Sequence, residues 1–125
     1  MDIGMWLVLL LVVWLIYRTI GPVKGLKELN DKEFQAELAQ GSRVFLLDVR
    51  EEHEFQRGHI KGAVNIPLSR LAKRTDEVPT DKELLLYCQS GMRSKRAAGV
   101  LRKHGYKKAA HLRGGISAFT GRIVK

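Results

Sequence analysis

Glu83-Leu84-Leu85-Leu86-Tyr87-Cys88-Gln89-Ser90-Gly91-Met92-Arg93-Ser94 is the stretch that decides the fold. Its first five residues are a short apolar run that reads as a strand buried on both faces, as in a parallel sheet. A glycine-bearing loop follows, and from about Ser94 to His104 the spacing of Ala97, Ala98, Val100 and Leu101 predicts a helix that Gly105 ends. In open parallel sheets, ligands bind beyond the carboxyl ends of the strands, which is where Cys88 falls. Gly91 lets backbone N–H groups turn inward, and the helix N-terminus adds partial positive charge that favours an anion or a thiolate. Arg93 closes the loop with a guanidinium able to give two parallel hydrogen bonds to an oxyanion. A free cysteine taken alone is more often a small buried hydrophobe. Strand, glycine loop, arginine and helix together make Cys88 a candidate nucleophile, with Gln89, Ser90, Gly91, Met92 and Arg93 as candidate anion-binding residues. At this level phosphate, arsenate and sulfur chemistry all remain open.

Further units of the same kind lie on either side. Asn30 and Glu33 have capping-box spacing, and Phe34, Leu38 and Ala39 continue a helix that Gly41 closes. Val44–Val49 reads as a second buried strand, Ala63–Ile66 as a third ended by Pro67, and Lys108–Leu112 as a fourth. One or two helical turns are expected over Glu51–Gln56. One short helix is expected between Ser69 and Thr80, and a last one from Gly114-Gly115 to Phe119. Strands alternating with helices predict an α/β domain with a mainly parallel central sheet.

The chain has 125 residues and a formal charge of +9. That length suits one compact domain. Residues 1–23 carry only Asp2 and Arg18, so the basic excess lies in the remainder and favours anionic partners. Arg93, Lys95, Arg96, Arg102, Lys103, Lys107 and Lys108 occur without an intervening acid. Most read as a solvated helix face, and some as a field drawing a small anion or facing anionic lipid. No aromatic interleaving accompanies them, so nucleic acid is not expected as a partner. The single cysteine excludes an internal disulfide and any two-cysteine redox pair. His53, His104 and His111 show no metal-ligand spacing with one another or with Cys88, and neither metal nor cofactor is expected.

Residues 3–17, IGMWLVLLLVVWLIY, are apolar without interruption. As a helix they cover roughly 22 Å, against ~30 Å for a hydrocarbon core. Thr19 and Ile20 extend the run, and Arg18 can snorkel to head groups. A signal peptide fits less well, because the start is acidic and no small-x-small cleavage site follows. We therefore expect a transmembrane anchor over 3–20, a linker over 21–24 containing Gly21-Pro22, and the folded domain over 25–122. Arg18, Lys24 and Lys27 on the C-terminal flank predict a single-pass cell-membrane protein whose domain faces the cytoplasm.

Four motifs occur in the order found in the rhodanese family, which the chain resembles over roughly residues 25–122. They are Asp48-Val49-Arg50, the segment Gly58-His59-Ile60-Lys61-Gly62-Ala63-Val64-Asn65-Ile66-Pro67, Cys88-Gln89-Ser90-Gly91-Met92-Arg93-Ser94, and Leu112-Arg113-Gly114-Gly115-Ile116. The resemblance implies a sheet flanked by helices and a cysteine that accepts sulfane sulfur as a persulfide. The first, second and fourth motifs look structural, so His59, Asp48 and Arg50 are expected to support the site. Phe119 stands where many relatives have tryptophan, a change expected to affect packing only. Cys88 to Arg93 is C-x4-R, whereas the related cell-cycle phosphatases look like C-x5-R with a wider loop. The shorter loop favours sulfur over a phosphoryl group. The implied function is transfer of sulfur from a small anionic donor such as thiosulfate to cyanide or a thiol acceptor. Two other readings stand beside it: a membrane-anchored binding module of the same fold, and a cysteine phosphatase or arsenate reductase.

Overall fold

The computed structural model describes residues 2–21 and 23–125. Its sheet core follows from the apolar runs. Strands β1 (Leu26–Leu29), β2 (Val44–Asp48), β3 (His59–Ile60), β4 (Val64–Asn65), β5 (Glu83–Tyr87), β6 (Ala109–Leu112) and β7 (Ile123–Val124) alternate with helices α1 (Ile3–Ile20), α2 (Asp31–Leu38), α3 (Glu52–Gln56), α4 (Leu68–Leu71) and α5 (Met92–Lys103). Five strands make one sheet in the order β1-β6-β5-β2-β4, with every neighbouring pair parallel. The pairs β3 and β7 form a separate antiparallel ribbon.

Side chains on β5 alternate between two cores, as the two-residue period of a strand requires. Leu84 and Leu86 join Leu47, Val49, Leu71, Ala97 and Leu101 beneath α4 and α5. Leu85 and Tyr87 join Leu29, Phe34, Leu46 and Leu112 beneath α2. Cys88 keeps the parity of Leu84 and Leu86 and belongs to the α5 side. A parallel sheet covered on both faces is thus what the strand sequences demanded.

Several expectations are refined. The capping box at Asn30 and Glu33 is present, with both hydrogen bonds made. The last helix is a 3-10 turn over Gly115–Ala118 rather than an α-helix, and a second such turn spans Thr75–Glu77. Phe119 packs against the α2-side core, in keeping with its aromatic character. β1, β3 and β7 were not anticipated.

The expected transmembrane anchor needs correction. A helix does form over Ile3–Ile20, and its large apolar side chains from Ile3 to Tyr17 are 44–78% exposed. Yet among the described residues no helix is long and apolar enough to cross a membrane. The reason is length: 18 residues rise about 27 Å, and Arg18 and Thr19 take up the last turn. Of the expected linker over 21–24, Pro22 lies outside the described residues.

Candidate active site

The loop begins where β5 ends and finishes in the first turn of α5, so strand and helix together aim the Cys88 side chain. The thiol is buried, with 1% of the residue exposed. Gly91, at φ +112°, caps α5 in a left-handed conformation that a side chain would resist, and its N–H donates to Cys88 Sγ at 3.0 Å. The same residue's carbonyl accepts from the Ser94 hydroxyl at 3.0 Å. Ser94 Oγ in turn lies 3.7 Å from Cys88 Sγ and 2.8 Å from His111 Nδ1. Burial lowers the His111 pKa, so its imidazole is neutral at neutral pH.

A second segment braces the loop from outside. The Ile116 N–H donates to the Cys88 carbonyl at 2.9 Å, while the Ser117 N–H and hydroxyl donate to the Gln89 carbonyl at 3.3 and 3.0 Å. Gly115, at φ +63°, makes this approach possible: a Cβ there would sit 2.4 Å from Gln89 backbone atoms and 2.5 Å from the Cys88 carbonyl oxygen. Gly115 is therefore part of the scaffold of the candidate site.

Of the expected anion-binding residues, Gly91 is brought to the sulfur. Ser90 and Met92 are exposed on the loop. Gln89 is fixed by its side-chain bonds to Ser117 Oγ at 2.9 Å and Arg50 Nη1 at 3.3 Å. Arg93 departs from expectation. Its Nη1 and Nη2 donate to the two carboxylate oxygens of Glu54 on α3 at 2.6 and 2.9 Å. The guanidinium is thus clamped from the side of α3. A cleft of about 470 Å³ opens beside the loop, lined by Arg50, Glu54, Arg57, Gln89, Ile116 and Ile123.

Asp48 and Arg50 are structural, as expected. Asp48 is fully buried and accepts from Arg50 Nε and Nη2 at 2.8–3.1 Å, and Arg50 Nη2 also donates to the Gly58 carbonyl at 2.7 Å. The Arg50 guanidinium lies over the Tyr87 ring, whose hydroxyl accepts from the Ile60 N–H at 3.0 Å. His59 stacks on Phe55 and bonds its carbonyl through Nδ1 at 2.9 Å, a supporting role. No group of metal-ligating side chains occurs among the described residues.

The Glu54–Arg93 clamp has a consequence for stability. Hydrogen bonds from Arg93 hold the Glu54 pKa down at about 2, against an ordinary 4.5. A carboxylate with a depressed native pKa contributes stability above its unfolded pKa and loses it as pH falls through the native one. In urea titrations, Glu54→Gln is expected to cost about 1–2 kcal/mol at pH 7, after allowance for solvent screening. The gap to the parent protein should close between pH 4.5 and 2. A gap independent of pH would show that the clamp is not ionic.

An α/β domain that presents one cysteine in a glycine-capped six-residue loop at the carboxyl edge of its parallel sheet is the class of protein that this fold and site define. A model of the rhodanese-like domain matches residues 30–122, and the chain belongs to that family. It is 42% identical over 112 residues to the uncharacterized protein YqhL of Bacillus subtilis, covering 90% of this chain and 86% of that one. It is 35% identical over 92 residues to a sulfurtransferase of Allochromatium vinosum, covering 74% and 86%. Among solved structures, a rhodanese-related protein from Thermoplasma volcanium superposes with a TM-score of 0.70 at 27% identity, covering 78% of this chain and 97% of that one.

Sequence reasoning did not single out Ser94, His111 or Glu54 as site residues. Ser94 carried a local signal, standing directly after Arg93 in the first turn of the expected helix. Glu54 and His111 lie 39 and 17 residues from their partners, and no short-range pattern marks them.

Proposed function

We propose that this protein is a sulfurtransferase that carries sulfane sulfur on Cys88. The observation that supports it best is the buried Cys88 sulfur receiving the Gly91 N–H at 3.0 Å inside a C-x4-R loop. Sulfurtransferase-named relatives support this kind of enzyme. In the first half-reaction the Cys88 thiolate attacks the outer sulfur of a donor such as thiosulfate. The S–S bond of the donor breaks with its electron pair going to sulfite, and a persulfide anion remains on Cys88. In the second, cyanide or a thiolate attacks the terminal sulfur, takes it, and returns the thiolate. Charge is conserved in both steps, and sulfite leaves as an anion, so no general acid is needed. Gly91 N–H, the α5 N-terminus and the Arg93 charge stabilise the anionic sulfur. The chain's single cysteine makes the acceptor an external molecule.

A steady-state assay with thiosulfate and cyanide tests this reading. Thiocyanate formation with parallel double-reciprocal lines is expected, the signature of a ping-pong cycle through a covalent intermediate. No turnover with thiosulfate or organic persulfides would favour the binding-module reading, and release of phosphate from aryl phosphates the phosphatase one.

We also propose that the domain works at the cell membrane, facing the cytoplasm. The support is the exposed, apolar α1 with Arg18 in its last turn and Lys24 and Lys27 after it. Membrane-fraction recovery resistant to high salt, lost on deletion of residues 3–17, is the expected result. Recovery unchanged by that deletion would contradict it.

A further inference from the structure

His111 is a buried titratable residue that the mechanism above does not use. It stands on β6 opposite Leu86 of β5, two residues before Cys88, and is only 3% exposed. Its Nδ1 meets Ser94 Oγ at 2.8 Å, and Ser94 is fully buried. A hydroxyl has one hydrogen to give and two lone pairs to receive. Around Ser94 Oγ the structure places three partners: the Gly91 carbonyl at 3.0 Å, Cys88 Sγ at 3.7 Å and His111 Nδ1. The Gly91 carbonyl can only accept, so it takes the Ser94 hydrogen. With that hydrogen so placed, Oγ has only lone pairs left to offer, and we assign to neutral His111 the Nδ1–H tautomer that donates into it, beside the Cys88 S–H. This assignment saturates the hydroxyl.

We propose that His111 is a positioning residue for sulfur transfer: its Nδ1–H holds Ser94 Oγ beside Cys88 so that the Ser94 hydrogen turns to the sulfur when it becomes an anion. When Cys88 loses its proton, the S–H···Oγ contact loses its donor, and the hydroxyl hydrogen swings from the Gly91 carbonyl to the sulfur. The Lys95 N–H, 3.3 Å from that carbonyl, continues to satisfy it. His111 keeps its hydrogen throughout and anchors the oxygen by donating into it, which strengthens the hydroxyl as a donor. Glu28, its neighbour across the parallel pairing with β1, favours the charged imidazole, while Lys95 on α5 and burial oppose it. Burial dominates, so the ring works as a neutral donor.

This inference deepens the sulfurtransferase reading and rests on it. Its test begins with a readout that does not need turnover. The rate of Cys88 alkylation by iodoacetamide is followed from pH 6 to 9 in the parent protein, His111→Leu and His111→Asn. Asparagine can present an amide N–H near the Nδ1 position but is no base. His111→Leu is expected to alkylate about tenfold more slowly at pH 7, with the same plateau at high pH, equivalent to one unit along the pH axis. His111→Asn is expected to recover most of the parent profile. The same order should hold for single-turnover persulfide formation from thiosulfate. Identical profiles in all three proteins would overturn the proposal, and so would His111→Asn behaving like His111→Leu, which would make His111 a base. Melting curves on each variant exclude unfolding as the cause. An altered alkylation profile without sulfur transfer in any protein would overturn the sulfurtransferase reading, while the placement of His111 beside the thiol would stand.

Discussion

Replacing Cys88 with serine is expected to lower thiosulfate:cyanide sulfur transfer at least about a thousandfold, because the nucleophile is removed outright. The fold should survive. Cys88 sits at the edge of the α5-side core, and serine is smaller and able to accept the Gly91 N–H. A small polar group in a partly apolar pocket costs about 1 kcal/mol or less when it remains hydrogen-bonded. Activity and stability thus separate: activity falls to background while the melting temperature moves by a few degrees. The chain has no second cysteine to substitute, so residual turnover above a few per cent would mean that sulfur is not carried on Cys88.

Gly115→Ala is expected to be the most damaging single methyl group that can be added to the domain's active-site face. Two effects combine. At φ +63° a non-glycine residue carries backbone strain of about 1–2 kcal/mol. The new Cβ would also overlap the Gln89 carbonyl and crowd the Cys88 oxygen, and these are backbone atoms that cannot rotate away. Either the loop or the Gly114–Ala118 turn must shift. We expect at least about 3 kcal/mol of destabilisation. A displacement of about 1 Å at Cys88 should add a hundredfold loss of activity in whatever fraction remains folded. Gly41 supplies the control, since its φ is +64° and a Cβ there meets nothing within 4 Å. Gly41→Ala should therefore show the strain alone, about 1–2 kcal/mol with activity intact. Equal effects at the two positions, measured by urea unfolding and sulfur transfer, would mean that the close approach at Gly115 is not a constraint.

The parts of this molecule that could be read from sequence are those governed by local pattern. β2 and β5 were legible because a strand buried on both faces is an unbroken apolar run, and α5 because its apolar residues keep helical spacing. β1 was not, because Leu26-Lys27-Glu28-Leu29 is an edge strand whose two middle residues are charged and exposed. β3 and β7 contribute two residues each to a ribbon whose halves are far apart in sequence, too little for any period to show. The site divides in the same way. Cys88 and Gly91 lie in one contiguous loop whose conformation is set by strand, glycine and helix. Arg93 was expected to face a bound anion, but its direction depends on Glu54 from another element, and the 2.6 Å ion pair decides it. His111 was weighed only as a metal ligand, and its contact with Ser94 depends on the register of β6 against β5. The N-terminal run shows the opposite limit: its helix was evident from composition, while its ability to span a bilayer depends on a few ångströms of length.

The central claim is a sulfur atom carried on Cys88, and intact-protein mass spectrometry addresses it directly. After incubation with thiosulfate and rapid removal of small molecules, the parent protein should gain the mass of one sulfur, about 32 Da, localised to Cys88 and lost on adding cyanide. Cys88→Ser should show no gain. A parent protein that stays unmodified with thiosulfate and with organic persulfide donors would contradict the account.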